Sequence, residues 1–428
     1  MLTRSKAGIN KLNPKYSLTI TTTIKKEPKS VIFALKDPGW CQAMQEELDA
    51  LSRNKTWILV PPPVNQNILG CKWVFKTKLH SDGTLDRLKA RLVAKGFHQE
   101  EGIYFVETYS PVVRTATIRT ILNVAQQLEV GQSINWMFKM HFSMGIFKKK
   151  RLVLGSTSLA IFDFLLEFGF VCSSADPSLF TYHNNSDVMY LLLYVDDILL
   201  TGSSNTLLNM LIFQLSSTFS MKDLGPVHYF LGIQIKTHPS GLFLSQTKYA
   251  EQILNNAGML DCKPMSTPLP LKLNSSVSTA KYPDPSDFRS IVGALQYLTL
   301  TRPDISYAVN IVCQRMHEPT LADFDLLKRV LRYVKGTIFH GLYIHKNSKL
   351  NVQAFCDSDW AGCTSTRRST TGFCTFLGCN IISWSAKRQP TVSRSSTETE
   401  YRALALTAAE LTWSSASRSR DPSAMNTN

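Results

Sequence analysis

Residues 191–202 read Leu191-Leu192-Leu193-Tyr194-Val195-Asp196-Asp197-Ile198-Leu199-Leu200-Thr201-Gly202, two adjacent carboxylates inside an otherwise apolar stretch. Apolar runs on both sides of a short polar step predict a buried β-hairpin with Asp196 and Asp197 at its turn. Burying two like charges side by side is so unfavourable that a compensating cation or proton is required. A divalent ion, Mg2+ or Mn2+, is the natural partner. Carboxylates presented in this way suit a pair of metal ions that clamp the attacking and leaving oxygens of nucleotidyl transfer. The alternative is an ordinary Asp-Asp turn facing solvent, since Asp is a common turn residue.

The chain has 428 residues, enough for two or three domains each with its own core. Its 47 Lys and Arg against 32 Asp and Glu give a formal net charge of +15. Such a charge attracts polyanions, nucleic acid first and a membrane surface as the competing reading. No run of about 18 apolar residues is present to span a bilayer. The basic N-terminus, with Arg4, Lys6 and Lys11, has no apolar stretch behind it, so an intracellular protein, cytoplasmic or nuclear and not secreted, is expected. Nine cysteines without any Cys-x-x-Cys pair predict reduced thiols and neither a disulfide framework nor a zinc site.

Working outward from the hairpin, Asp37 through Leu51 has Trp40, Met44 and Leu48 spaced for one helical face, and Pro61-Pro62-Pro63 ends that unit. Cys71 to Leu79 and Leu88 to Lys95 predict a hairpin crowded with Lys76, Lys78, Arg87, Lys89, Arg91 and Lys95. Lys76, Lys89 and Arg91 are candidates to grip a triphosphate or a nucleic-acid backbone, with a merely solvated edge as the alternative. Helices are predicted over 115–128, ending at Phe168, over 208–219 and over 249–257, the last with Gly258 as its C-cap. A hairpin with Pro239-Ser240-Gly241 at its turn lies between the last two. Residues 262–285 read as a linker. In 324–335 the face of Phe324, Leu327, Leu331 and Val334 opposes Lys328, Arg332 and Lys335, a solvated basic face before it is a nucleic-acid contact.

Near the C-terminus a strand, Val352 to Asp357, ends in acids and is followed by a hairpin pattern through Gly372, Phe376 and Ile382. Ser395-Ser396-Thr397 then starts a helix expected to bury Tyr401, Leu404 and Ala408. A strand-borne Asp357 facing a helix-borne Glu400 is what a two-metal nuclease needs, with metals about 4 Å apart. Acids at a helix start also serve the helix dipole, which is the plainer reading.

In this order the motifs resemble the polymerase of copia-type LTR retrotransposons, a reverse transcriptase followed by a ribonuclease H region. They are Lys72-Trp73-Val74-Phe75-Lys76, Ala90 to Phe97, Tyr109-Ser110-Pro111-Val112-Val113-Arg114, Tyr194-Val195-Asp196-Asp197, Phe230-Leu231-Gly232-Ile233, Tyr297-Leu298, Thr301-Arg302-Pro303-Asp304-Ile305, Asp357 to Gly362 and Ser396 to Tyr401. The resemblance implies an α+β right-hand polymerase of fingers, palm and thumb, followed by a ribonuclease H-like α/β domain. The expected stretches are a basic segment and helix over 1–60, fingers and palm over 61–260, thumb and connection over 261–345, a partial ribonuclease H-like domain over 346–413 and an unrelated tail over 414–428. It further implies Asp196, Asp197, Asp357 and Glu400 as catalytic and metal-binding residues, and Lys76, Lys89 and Arg91 in contact with deoxynucleotide triphosphates. The implied partners are an RNA template, a DNA primer or an RNA–DNA hybrid, and Phe230-Leu231-Gly232 would sit near the primer terminus.

The chain departs from that pattern in three places. The family carries an Asp on a neighbouring palm strand, in a stretch close to Met-Asp-Val-Lys-Asn-Ala-Phe-Leu-His-Gly, where this chain has Met137 to Gly145 and no acid. A one-base shift of frame across Ala-Phe-Leu-His-Gly codons yields His141-Phe142-Ser143-Met144. Lys148-Lys149-Lys150-Arg151 then runs within about twenty residues into Glu167-Phe168-Gly169-Phe170, so an internal deletion near 137–165 is expected. Beyond Trp413 the resemblance ends. Expected polymerase and nuclease activity are therefore negligible, and a non-catalytic RNA or hybrid-binding remnant is the alternative function.

Overall fold

The structure, a computed structural model, describes residues 27–53, 70–79, 84–95, 114–127, 136–140, 156–184, 187–195, 197–219, 221–271, 280–346, 348–363 and 366–416. Helices and mostly antiparallel sheets alternate irregularly along the chain, as an α+β fold requires. The described residues divide into two compact units.

The first unit holds α1 (Val31–Ala34), α2 (Pro38–Arg53), β1 (Cys71–Leu79) and β2 (Leu85–Ala94). The two strands form an antiparallel hairpin, with Phe75 opposite Ala90 and Lys76 opposite Lys89. Because side chains alternate along a strand, Phe75 and Ala90 share the face that packs on Trp40, Ala43 and Met44 of α2. Trp40 meets Phe75 edge-on at 5.4 Å. Every cation of the other face is thereby left outside this small core.

The second unit begins with α3 (Thr115–Gln127), β3 (Trp136–Met140) and α4 (Ser156–Phe168). β4 (Val171–Cys172), β5 (Leu179–Asn184), β6 (Asp187–Tyr194), β7 (Asp197–Gly202), α5 (Asn205–Thr218) and β8 (Met221–Pro226) follow. Six strands make one antiparallel sheet in the order β4-β5-β6-β7-β3-β8. Leu191, Leu193, Ile198 and Leu200 pack on α4 and α5, whereas Leu192 and Leu199 pack on Ile118, Ile121 and Leu122 of α3. Both faces are covered, which is why β6 and β7 are continuous apolar runs rather than alternating ones.

A second sheet, ordered β12-β11-β10-β9, joins β9 (Tyr229–Phe230), β10 (Ile233–His238) and β11 (Gly241–Ser245) to β12 (Gly341–His345). Its Phe230, Ile233, Ile235, Leu242 and Leu244 close the α3 side of the large sheet. Between β11 and β12 lie α6 (Thr247–Asn256), α7 (Pro285–Leu298), α8 (Ser306–Cys313) and α9 (Leu321–Gly336), packed around Leu254, Phe288, Leu295, Val309, Leu327 and Leu331. Gly258, at φ 64°, lies just past the C-cap Ala257 and ends α6 in the left-handed conformation expected of it.

The part of the stretch read as a linker that is described here is held down. Arg332 Nε donates to Lys263 O at 2.8 Å, Met265 N donates to Arg332 O at 3.1 Å, and Arg329 Nη2 donates to Thr267 Oγ1 at 2.7 Å. Arg332, expected on a solvated basic face, and Arg329 beside it are thus tied to residues 263–267 instead.

β13 (Val352–Ser358), β14 (Thr370–Leu377) and β15 (Asn380–Arg388) form a three-stranded antiparallel sheet covered by α10 (Ser396–Ala416). The face of α10 expected to be buried is the wrong one. Tyr401, Leu404 and Leu406 are 68, 54 and 54% exposed, and Ala408 is exposed too. Thr399, Ala403, Thr407 and Ser414 are buried instead. The sheet floor and the turn beneath α10 supply Thr371, Thr375 and Gln389, and Gln389 Nε2 donates to Thr371 Oγ1 and to Thr399 O. A hydroxyl-lined floor takes small polar side chains at close approach, which excludes a bulky apolar stripe.

Candidate active site and nucleic-acid interface

The carboxylate hairpin forms as the sequence predicts. β6 and β7 pair with Tyr194 opposite Asp197 and Leu193 opposite Ile198. Asp196 lies outside the described residues. Val195, at φ 51° and 47% exposed, occupies the left-handed region that a β-branched residue avoids, so the turn is strained. Asp197 shares its sheet face with Tyr194 and Leu192, the face that looks toward the second sheet, and its Oδ1 is buried.

β3 is the other neighbour of β7. Lys139 stands opposite Asp197, and Phe138 opposite Ile198. The strand reads Trp136-Met137-Phe138-Lys139-Met140, without an acid. Among the described residues no three His, Cys, Asp or Glu side chains group closely enough to hold a metal. Asp197 is thus the one acid of the palm candidates that lies among the described residues, and its β3 neighbour brings no second one.

On the hairpin of the first unit, cross-strand pairing puts Lys76 with Lys89, Val74 with Arg91, and Lys78 with Arg87 on one face, with Lys72 on the same side. Lys72, Lys76, Lys78, Arg87 and Arg91 are exposed. Lys89 is half-buried, and burial first, then the charges of Arg91, Arg87 and Lys78, push its pKa below the usual lysine value against the pull of Glu47. The sequence candidates Lys76, Lys89 and Arg91 are thus brought together. So dense a cationic face fits a polyphosphate or a nucleic-acid backbone.

Asp357 and Glu400 are placed differently. Along β13 burial alternates, with Gln353, Phe355 and Asp357 exposed and Ala354 and Cys356 turned inward. Glu400 of α10 lines a cavity of about 530 Å³ with Cys356, Ser396, Thr397, Tyr401 and Leu404. Asp357 is not part of that lining. At the start of α10 it is Glu398 that works as a cap: its Oε2 accepts from Arg394 N at 2.7 Å and its own N donates to Ser395 Oγ at 3.1 Å. The Arg394 amide first, and with it the charge of Arg402, hold Glu398 below the ordinary carboxylate range against the opposing cost of desolvation.

Two features escaped the sequence. Arg119 of α3 is buried, donating through Nε to Ile382 O at 2.6 Å and through Nη1 to Leu300 O at 2.8 Å, over the Trp384 ring at 4.1 Å. Burial pushes its pKa down to about 9 against the carboxylate of Glu410. A lone Arg in a helical pattern gives no signal of this tie between α3 and the third sheet. The other is a left-handed turn at Leu231-Gly232, whose only advance sign was the glycine.

Comparison with known proteins gives the lineage. The family model described as Reverse transcriptase (RNA-dependent DNA polymerase) matches residues 54–141 and 155–271, with a break where the sequence departs from the family. The Retrovirus-related Pol polyprotein from transposon RE1 of Arabidopsis thaliana is 43% identical over 446 aligned residues, covering 96% of this chain and 30% of that protein. That alignment is longer than the chain itself, so the relative has residues without a counterpart here. The Pol polyprotein from transposon TNT 1-94 of Nicotiana tabacum is 36% identical over 91% of this chain and 32% of its own length. An uncharacterized mitochondrial protein of Arabidopsis thaliana is 94% identical across 38% of this chain and 95% of itself. The chain spans about a third of the length of the polyproteins it matches, and no helix among its described residues is long and apolar enough to cross a membrane. By these matches the chain belongs to the reverse transcriptase family of copia-type retrotransposons.

Proposed function

We propose that this chain is the reverse transcriptase region of a copia-type Pol polyprotein in which the frame for binding primer and template is kept and metal-dependent nucleotidyl transfer is lost. In this reading the hairpin β1–β2 belongs to the fingers, the six-stranded sheet is the palm, the helices α7–α9 within 261–345 are the thumb and connection, and β13–α10 is the remnant of a ribonuclease H-like domain. Asp196 and Asp197 are the surviving palm carboxylates. Asp357 and Glu400 are the corresponding pair of the nuclease remnant, short of a full ligand set. Lys76, Lys89 and Arg91 engage phosphates of a deoxynucleotide triphosphate or of the nucleic-acid backbone.

The observation that carries the loss of chemistry is the register of β3 against β7: the neighbour of Asp197 offers Phe138 and Lys139 where a bridging carboxylate is required. Bound magnesium would neutralise the developing charge on the transferred phosphate. With Lys139 as the register neighbour and no third acid on the strand, this chain's own residues do not hold two ions in line. Each 1.4 kcal/mol of lost transition-state stabilisation is about a tenfold rate loss, and a missing bridging ligand removes several kcal/mol. An internal deletion between 137 and 165 agrees with the break in the family match and with the longer alignment.

The test is primer extension on an RNA template by the purified chain with magnesium or manganese. No extension is expected, and replacing residues 137–165 by the matching stretch of the RE1 relative is expected to restore it. Extension by the unaltered chain that disappears in Asp197→Asn would overturn the loss of chemistry. The same primer–template is expected to bind the unaltered chain, with an affinity that falls steeply as salt rises.

A further inference from the structure

The sheet β12-β11-β10-β9 has two unlike faces. Ile233, Ile235, Leu242, Leu244, Leu342 and Ile344 turn into the core that it shares with α3 and the large sheet. The alternate residues turn away from that core, and the ladder sets them in rows: Lys236 opposite Phe243 opposite Tyr343, then His238 opposite Gly241 opposite His345. Lys236, His238 and His345 are exposed, and Phe243 and Tyr343 are half-buried. Gly241, at φ 149°, has no room for a Cβ, which would collide with the Ile344 carbonyl of the next strand, so no side chain stands between the two histidines. Tyr343 leans into that gap, its hydroxyl sharing a hydrogen bond at 2.5 Å with Ser240 Oγ in the turn that joins β10 to β11. Its ring centroid lies 4.6 Å from that of His345, 6.2 Å from His238 and 6.4 Å from Phe243. Four rings therefore make one continuous surface across three strands.

A ring laid over a glycine repairs a weak place in a sheet, and that accounts for Phe243, which a Cβ at Gly341 would approach within 2.8 Å. It does not account for the charges around the rings. Lys236, His238 and His345 flank them, and Lys346, whose N donates to Ser240 O at 2.8 Å, brings a fourth exposed basic side chain to the same turn. Neither lysine pairs with a described acid, and residues 233–245 and 341–346 contain no Asp or Glu. Aromatic faces among unpaired cations are what an unpaired strand of nucleic acid requires, since each base offers a face to stack and each phosphate a charge to neutralise. A duplex keeps those base faces inside its own stack, which selects a single strand.

We propose that the outward face of β10–β12, built on Tyr343 with His238, His345 and Phe243, is a separate binding site for single-stranded RNA: its rings stack unpaired bases, and Lys236 and Lys346 neutralise the phosphates beside them. This goes beyond the reading above, whose phosphate contacts on β1–β2 need no base. The two sites differ in what they recognise, and that difference separates them by experiment.

The experiment uses the full chain and two fluorescent probes about 10 nucleotides long, an oligoadenylate and a ribose-phosphate strand of equal length without bases. The unaltered chain is expected to bind the oligoadenylate at least tenfold more tightly. His238→Ala with His345→Ala, both exposed, and separately Tyr343→Leu are each expected to remove at least fivefold of that preference while affinity for the baseless strand stays within twofold. Lys76→Ala with Arg91→Ala is expected to weaken both probes alike. Photo-crosslinking of an oligouridylate carrying 4-thiouridine to the unaltered chain, which needs no variant to fold, is expected to mark residues 234–245 or 341–346. Equal affinity of the unaltered chain for the two probes, both weakened by Lys76→Ala with Arg91→Ala, would overturn the stacking site and leave the β1–β2 reading standing. A base preference that survives the histidine pair and Tyr343→Leu, with crosslinks elsewhere, would also overturn it. If neither probe binds, both readings fall.

Discussion

Arg302 shows how a motif residue of this chain earns its place through packing. Its side chain is 2% exposed, and its Nε and Nη2 donate to the two Asp304 oxygens at 2.8 and 2.7 Å. Nη1 and Nη2 also donate to Thr337 O and Oγ1, which pins the C-terminal end of α9. Arg302→Met is expected to cost about 2–4 kcal/mol, because it strips partners from buried oxygens while Asp304 regains part of its hydration. Chemical denaturation monitored by tryptophan fluorescence measures it. Burial alone would raise the pKa of Asp304, but the hydrogen bond and charge of Arg302, helped by the Tyr333 hydroxyl at 3.0 Å, hold it below the ordinary value. A depressed carboxylate stabilises the fold above its unfolded pKa of about 3.9, and that contribution is lost as pH falls through the lower folded value. Melting curves should therefore decline below about pH 4, and less steeply in Arg302→Met. Lys89 has the opposite sign. Its charged form is disfavoured in the fold by burial and by Arg91, Arg87 and Lys78, so its protonated state weakens the hairpin at neutral pH. Lys89→Met is expected to slow amide exchange across β1 and β2 and, if the proposed phosphate contact holds, to weaken nucleic-acid binding at the same time.

At the scale of elements, the two basic segments separate by what their cations already touch. On α9, Lys328 pairs with Asp325 at 2.6 Å, and Arg329 and Arg332 hold residues 263–267. On β1–β2 the ion pair seen among the described residues is Arg87 with Asp86 at 4.0 Å, and the charge of Glu47 acts on Lys89. Lys76→Ala and Arg91→Ala are each expected to reduce the slope of log affinity against log salt by about 0.7–0.9, one phosphate contact's worth, while Lys328→Ala leaves it unchanged. Fluorescence anisotropy over a salt series reads all three. The same contrast shows what the sequence could tell. The hairpin at 191–202 was legible from apolar runs flanking a polar step, the one at 233–245 from its Pro-Ser-Gly turn, and the helix at 247–256 from its pattern and the glycine after it. α9 was legible as a helix with Leu327, Leu331 and Val334 inward, but not the bonds of its cations, which depend on a segment some 60 residues away. α10 was misread in facing. Its helical span was correct, yet which stripe it buries is set by the hydroxyl-lined surface beneath it, a fact that belongs to Thr371, Thr375 and Gln389 and not to the helix. The hairpin that carries Asp197 was legible, and the hydrogen bond of Tyr297 to Leu231 O, which joins two cores, was not.

At the scale of the molecule, the misread helix and the sheet beneath it have a shared consequence. Among the described strands β13 pairs only with β14, so its outer edge offers a row of backbone donors and acceptors. Val352-Gln353-Ala354-Phe355-Cys356-Asp357-Ser358 has no lysine, no proline and no bulge against β14, so the exposed Asp357 near its end is the one charge guarding that edge. Apolar side chains flank it, Phe355 at 62% exposure on one face of the strand and Tyr401 and Leu404 on the helix covering the other. An open edge between two apolar surfaces favours strand addition from another chain, since the ladder supplies hydrogen bonds while the flanks supply burial. The net charge of +15 opposes such association at low salt and is screened as salt rises. Self-association should therefore grow with ionic strength, the reverse of the trend for nucleic-acid binding through β1–β2. Phe355→Lys with Leu404→Glu puts a charge on each flank without touching the buried stripe of Thr399, Ala403 and Thr407. The double variant is expected to keep the melting temperature within about 2–4 °C, the shift of roughly 1 kcal/mol in a domain of this size, and to remain monomeric in 0.5 M salt. Light scattering that rises equally in the variant and the unaltered chain would place the sticky surface elsewhere, on the exposed Ile32, Phe33 and Leu35 of the first unit.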